Sequence, residues 1–219
     1  MEKWFLSHLQ SELAGKTVKS YGYDQQDLID YSFNSLGFRS PEPTDDPRLV
    51  VIGNSVSFGI GLDMQHTFGS MLAQYTNRRL DNRSLGCFFH ENHDQLHNIK
   101  LLAQQDQDSV FIIQINNLDR KRTGNLVSSG NPLGIATGNP SIWCVERFLD
   151  FFDQTENMLK NHPHRYIYWD NIEYCLPTTV LEKIVIKNKC HYDNSLPNNK
   201  NTFGAKSHSH IAKILHHAI

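Results

Sequence analysis

From about residue 48 onward, short apolar runs alternate with segments whose apolar residues recur every three or four positions. The runs are Arg48–Ile52, Val110–Ile115, Arg165–Trp169 and Lys183–Lys187. Each is apolar on consecutive positions, which is the pattern of a strand buried on both faces. Ser84-Leu85, closed by Gly86, reads as a further short strand. Between the runs, Phe68, Met71, Leu72 and Tyr75 fall at helical spacing, as do Leu96, Ile99 and Ala103. Pro140-Ser141 predicts a helix start, with Ser141 as cap and Phe148, Leu149, Phe152 and Leu159 on its apolar face. Ile211, Leu215 and Ala218 line a final helix. Strands and helices alternating through short connections predict an α/β fold. The expected architecture is a three-layer α/β/α flavodoxin-like sandwich around a central five-stranded parallel sheet.

The region before residue 48 is patterned differently. Trp4, Phe5, Leu9 and Leu13 have helical spacing, and Gly15 is a natural stop. Residues 1–47 therefore read as an N-terminal helix and extension packing on a main domain of residues 48–219. Residues 120–140, rich in Gly, Asn and Ser, read as one long loop near the active edge. No apolar run is long enough to span a bilayer. The N-terminus lacks the pattern of a secretory signal, so a cytoplasmic location is expected.

Composition narrows the function classes. The 219 residues suit one large domain, and 39% hydrophobic content suits a folded one. Lys plus Arg is 21 against 23 Asp plus Glu, a net charge of -2. That balance excludes a general nucleic-acid binder, which needs a basic footprint. Cys87, Cys144, Cys175 and Cys190 lack zinc or redox spacing and read as free thiols. His90, His93 and His97 would share one face of a helix, but no fourth ligand is set by motif. A solvated polar face is the expectation there, with no metal and no cofactor. His208, His210, His216 and His217 crowd the last helix and read as a surface cluster.

The first strand runs into Gly53-Asn54-Ser55-Val56-Ser57-Phe58-Gly59-Ile60-Gly61. Glycines there permit a tight turn and close backbone approach. Ligands of open parallel sheets bind beyond the carboxyl ends of the strands, so a serine at this turn can present its hydroxyl at a pocket mouth. No Gly-Lys-Ser/Thr follows the strand, and Gly59-Ile-Gly61 lacks the third glycine of a dinucleotide fingerprint.

This stretch resembles the Gly-Asp-Ser nucleophile block of the SGNH (GDSL-like) hydrolase family. Asn34-Ser-Leu-Gly-Phe-Arg39 is similar to the segment ahead of that nucleophile. Asn82-Arg-Ser-Leu-Gly86 is similar to the second block, Gln114-Ile-Asn-Asn117 to the third, and Phe203–His208 to the last. The resemblance covers roughly residues 30–219 and implies a serine hydrolase acting on an acyl or acetyl ester of a carbohydrate or lipid. It implies Ser55 as nucleophile, with the Ser55 and Gly86 amides and the Asn116 side chain as an oxyanion hole. Asn54 and Asn117 would contact substrate.

The pattern also breaks. Asn54 and Asn117 stand where the family has aspartate, and Gln114 where it has glycine. The family's Asp-x-x-His falls on Asn199 and Thr202, and threonine has no nitrogen that titrates near neutral pH. His208 is then the candidate base, with His191 and Asp193 as a second choice. The competing expectation is a catalytically degenerate protein that binds an acyl or sugar ligand on the same scaffold. Asp170, after the fourth strand, is a candidate for orienting substrate or a histidine. The expected partner is a small-molecule ester or carbohydrate, and the sequence does not specify an oligomeric state.

Overall fold

The computed structural model describes residues 11–21, 28–46, 48–85, 92–105, 108–115, 120–123, 126–129, 142–168, 177–186 and 204–219. Five strands form one parallel sheet: β3 (Arg48–Ile52), β4 (Arg79–Asn82), β5 (Val110–Gln114), β8 (His164–Ile167) and β9 (Ile184–Ile186). Their order is β4-β3-β5-β8-β9, with every pairing parallel. The order reverses between β3 and β5, because β4 returns to one side of β3 and β5 to the other. That reversal opens a crevice at the carboxyl ends of β3 and β5.

Consecutive apolar residues send alternate side chains to opposite faces of a strand. Val50, Ile52, Phe111, Ile113 and Tyr166 pack on one face with Leu96, Ile99, Phe148, Phe151 and Phe152. These last residues come from helices α3 (Asn92–Gln105) and α4 (Ile142–Leu159). Leu49, Val51, Val110, Ile112 and Ile167 pack on the other face with Phe68, Leu72, Ile211 and Leu215. Those come from α2 (Phe68–Tyr75) and α6 (Ala205–Ala218). Two more helices are single turns, α1 (Ser55–Phe58) and α5 (Thr178–Leu181). The expected three-layer α/β/α sandwich with a five-stranded parallel sheet is the architecture found.

Two expectations are revised. The second strand of the sheet is Arg79–Asn82, and Ser84-Leu85 lies just beyond its end. Its apolar signal is hidden because Asp81 is buried as a charge. The carboxylate accepts from Arg83 Nε at 2.6 Å and from Arg48 Nη1 at 3.3 Å. Residues 120–140 are not wholly loop, since β6 (Arg120–Thr123) and β7 (Leu126–Ser129) pair as an antiparallel ladder. Arg-Lys-Arg-Thr carries no apolar alternation, so nothing in its pattern signals a strand.

A separate ladder, β1 (Thr17–Tyr21) with β2 (Leu28–Ser32), lies ahead of the sheet. Its Ile29 and Tyr31, followed by Phe33, pack on Phe58 just past the end of β3. The outer edge of β4 is covered by residues 40–44. The Ser40 hydroxyl donates to Leu80 O and accepts from Asn82 N, while Arg79 donates to the Glu42 and Thr44 carbonyls. Side chains thus take the place of a neighbouring strand. Of the predicted N-terminal helix residues 11–14 are described; 11–12 are helical, 13–14 form a turn, and the chain reverses at Gly15 with φ +70.

Candidate active site

The carboxyl end of β3 delivers Gly53, Asn54 and Ser55 to the crevice. Gly53 has no room for a side chain: a Cβ would lie 2.5 Å from Ser57 Oγ and 2.7 Å from Gln114 Cβ. Asn54 caps α1, its Oδ1 accepting from Val56 N at 3.3 Å. The turn closes at Gly59, whose φ of 78 is left-handed and whose amide donates to the Ser55 and Val56 carbonyls. Ser55 is half-buried at the start of this turn, while Asn54 and Ser57 are buried.

Gln114, at the end of β5 and fully buried, clasps the turn from one side. Its Oε1 accepts from Ser57 Oγ at 2.5 Å, from Ser57 N at 3.1 Å and from Asn54 N at 3.4 Å. Its Nε2 donates to Asn54 Oδ1 at 2.5 Å. The orientation of this amide follows from its neighbours, since three donors converge on one atom and an acceptor faces the other. Asn82, at the end of β4, holds the turn from the opposite side. Its Nδ2 donates to Ser57 O and its Oδ1 accepts from Ser84 N, both at 3.0 Å. Three neighbouring strand ends therefore grip one helical turn.

The grip is selective. Val56 N is capped by Asn54, Ser57 N by Gln114, and Phe58 N by the Asn54 carbonyl at 2.8 Å. Among the described residues none accepts from Ser55 N, and none bonds the Ser55 hydroxyl. Asn54 Oδ1 is used only as an acceptor in its two bonds here, a part that an aspartate would also fill.

Beyond the turn, Arg39 staples the returning chain. Its guanidinium donates to the carbonyls of Phe58, Gly59 and Leu62 and lies 4.2 Å over the Tyr31 ring. Asn34 positions it: Asn34 Oδ1 accepts from Leu36 N and Phe38 N, and Gly37 turns with φ 86. Burial lowers the Arg39 pKa to about 10, which leaves a cation at neutral pH. Tyr31 also accepts from Gly61 N at 2.6 Å.

His208 is engaged at the start of α2. Its Nδ1 accepts the Phe68 amide at 2.9 Å, at the amino end of α2, and its ring stacks on Phe68 at 5.6 Å. It is 1% exposed, and burial, reinforced by the Arg39 charge, pushes its pKa down to about 3. The neutral ring spends its lone pair on a backbone amide, so none is left for a serine proton. His208 thus serves in this structure as a contact to the start of α2.

Gly86, Asn116, Asn117, Asp170, His191, Asp193, Asn199 and Thr202 lie outside the described residues. So does His90; His93 and His97 fall on α3, and among the described residues no three potential ligands cluster for a metal. No described helix is long and apolar enough to cross a membrane. Gln114 and Asn82 are the contributors that sequence reasoning missed. The available signal was a glutamine closing an otherwise apolar strand.

No family model matches the chain, and no curated protein matches it. Solved structures do. An assigned member of the lipolytic G-D-S-L family from Desulfitobacterium hafniense matches at a TM-score of 0.50 and 12% identity, covering 78% of this chain and 99% of that one. An acetyl xylan esterase from the rumen bacterium Butyrivibrio proteoclasticus matches at 0.51 and 14%, covering 80% of this chain and 64% of that one. A psychrotrophic esterase from Pseudoalteromonas sp. matches at 0.50 and 12%, covering 78% and 96%. Sheet order, helix placement and these likenesses together establish that the chain has the SGNH-like (GDSL) hydrolase fold.

Proposed function

We propose that this protein is a serine ester hydrolase whose nucleophile is Ser55. One observation carries the reading. At the crevice between β3 and β5, Ser55 has both its hydroxyl and its amide unclaimed among the described residues, while the three amides that follow are all taken. In this reading Ser55 Oγ bonds to the ester carbonyl carbon as its proton passes to a base. The Ser55 amide, the Gly86 amide and the Asn116 side chain receive the developing oxyanion, each donor being worth about 3–4 kcal/mol in the transition state. The C–O bond breaks, the alcohol leaves with the proton, and water then releases the acyl group. His191, with Asp193 as its partner, would take the base role, because the His208 Nδ1 is engaged by the Phe68 amide. Asn54 and Asn117 would border the substrate, an acyl or acetyl ester of a sugar or lipid.

The test is hydrolysis of nitrophenyl acetate, with fluorophosphonate labelling, by the wild type, Ser55→Ala and His191→Ala. The expected result is Ser55-dependent labelling and a loss of roughly 100-fold or more in either variant. A wild type that neither hydrolyses nor labels would refute the reading.

A second reading, a non-hydrolytic ligand-binding protein, is favoured by the occupied lone pair of His208. It predicts saturable binding of an acyl or sugar ester that is recovered unchanged.

A further inference from the structure

We infer that Gln114 is a positioning residue for Ser55, acting by claiming the competing donors of the turn so that the Ser55 amide stays free for substrate. The inference rests on the reading of Ser55 as nucleophile. Four donors crowd the space behind Ser55: the amides of Asn54, Val56 and Ser57, and the Ser57 hydroxyl. One carboxamide settles all four. Gln114 Oε1 takes the Asn54 amide and both Ser57 donors, and Gln114 Nε2 orients the Asn54 Oδ1 that takes Val56 N.

A glycine at 114, as in the family pattern, would leave the Ser57 hydroxyl and amide without these acceptors. It would also remove one of the two donors to Asn54 Oδ1. The packing is matched to the side chain, because Gly53 has its absent Cβ where Ser57 Oγ and Gln114 Cβ meet. The residues at 53, 54, 57 and 114 thus work as one set. Gln114 touches neither the Ser55 hydroxyl nor the Ser55 amide.

Without Gln114, unsatisfied donors behind the turn would pull it towards new partners, and displacement of a nucleophile by about 1 Å can cost on the order of 100-fold in rate. The experiment compares the wild type, Gln114→Ala and the milder Ser57→Ala, which keeps the backbone and deletes one bond to Gln114. Thr155→Ala serves as a control. It removes a buried hydroxyl that donates to Phe151 O at 2.8 Å within α4, away from the turn. The readouts are the second-order rate of fluorophosphonate labelling at Ser55 and the separate kcat and KM for nitrophenyl acetate, all well below each melting temperature.

Labelling and kcat should fall roughly 10–100-fold in Gln114→Ala, and by less in Ser57→Ala, with KM little changed. Thr155→Ala should lose stability but keep the labelling rate. Unchanged labelling in both turn variants, with the wild type labelled, would overturn the positioning role and leave the esterase reading standing. A rate loss in Thr155→Ala equal to that in Gln114→Ala would also overturn it, because general destabilisation would then suffice. Absence of labelling in the wild type would overturn the esterase reading, and this role with it.

Discussion

His208 makes the sharpest physical prediction, because its protonation and its structural part are opposed. The ring is buried and stacked on Phe68, with Nδ1 on the Phe68 amide, and burial together with the Arg39 charge depresses its pKa to about 3. An unfolded chain would protonate the same ring near its ordinary value of 6.5. The unfolded state therefore binds the extra proton first. The stabilisation is fully present above about pH 6.5 and drains away as pH falls towards about 3. Each pH unit in that window costs about 1.4 kcal/mol, so roughly 2–3 kcal/mol is lost on going from neutral pH to about pH 4.5.

His208→Asn separates this effect from packing. Asparagine places an acceptor oxygen near the Nδ1 position and does not titrate in this range. At neutral pH the variant should be less stable by about 1–3 kcal/mol through lost ring packing. Between neutral pH and about pH 4.5 it should lose about 2–3 kcal/mol less than the wild type. Urea unfolding of both proteins at the two pH values measures this difference. Equal acid sensitivity would refute the buried, neutral imidazole. A folded His208→Asn that no longer labels at Ser55 would return the base role to His208.

Two further perturbations test the scaffold of the turn. Gly53→Ala forces a methyl group into the space held by Ser57 Oγ and the Gln114 side chain. It should cost about 1–3 kcal/mol in urea unfolding and slow Ser55 labelling, and a variant of wild-type stability and rate would contradict the crowding. Asp81→Ala removes the buried carboxylate that faces both Arg48 and Arg83. A loss of roughly 3–5 kcal/mol is expected in the same assay, and a change within the noise would show that the two arginines find other acceptors.

Much of the fold is written in local pattern. β3, β5, β8 and β9 are legible because a strand buried on both faces must be apolar on consecutive positions. The helices on either side are legible from their spacing. β4 is obscured because its Asp81 is buried against Arg83, two positions on, and Arg48, 33 positions back on β3. β6 escapes because Arg120-Lys-Arg-Thr123 has no apolar face to read.

The candidate site divides in the same way. Small residues and glycines after a buried strand mark Ser55, since a sharp turn beyond a strand end needs them. That much is local, and the sequence alone determined it. The parts played by Gln114, Asn82 and His208 depend on contacts spanning 57, 25 and 140 positions. A polar residue at such a place has many partners open to it in sequence, and the packing of strands and helices fixes which of them it meets. Only the tertiary structure decides that Gln114 serves the turn and that His208 spends its lone pair on a helix end.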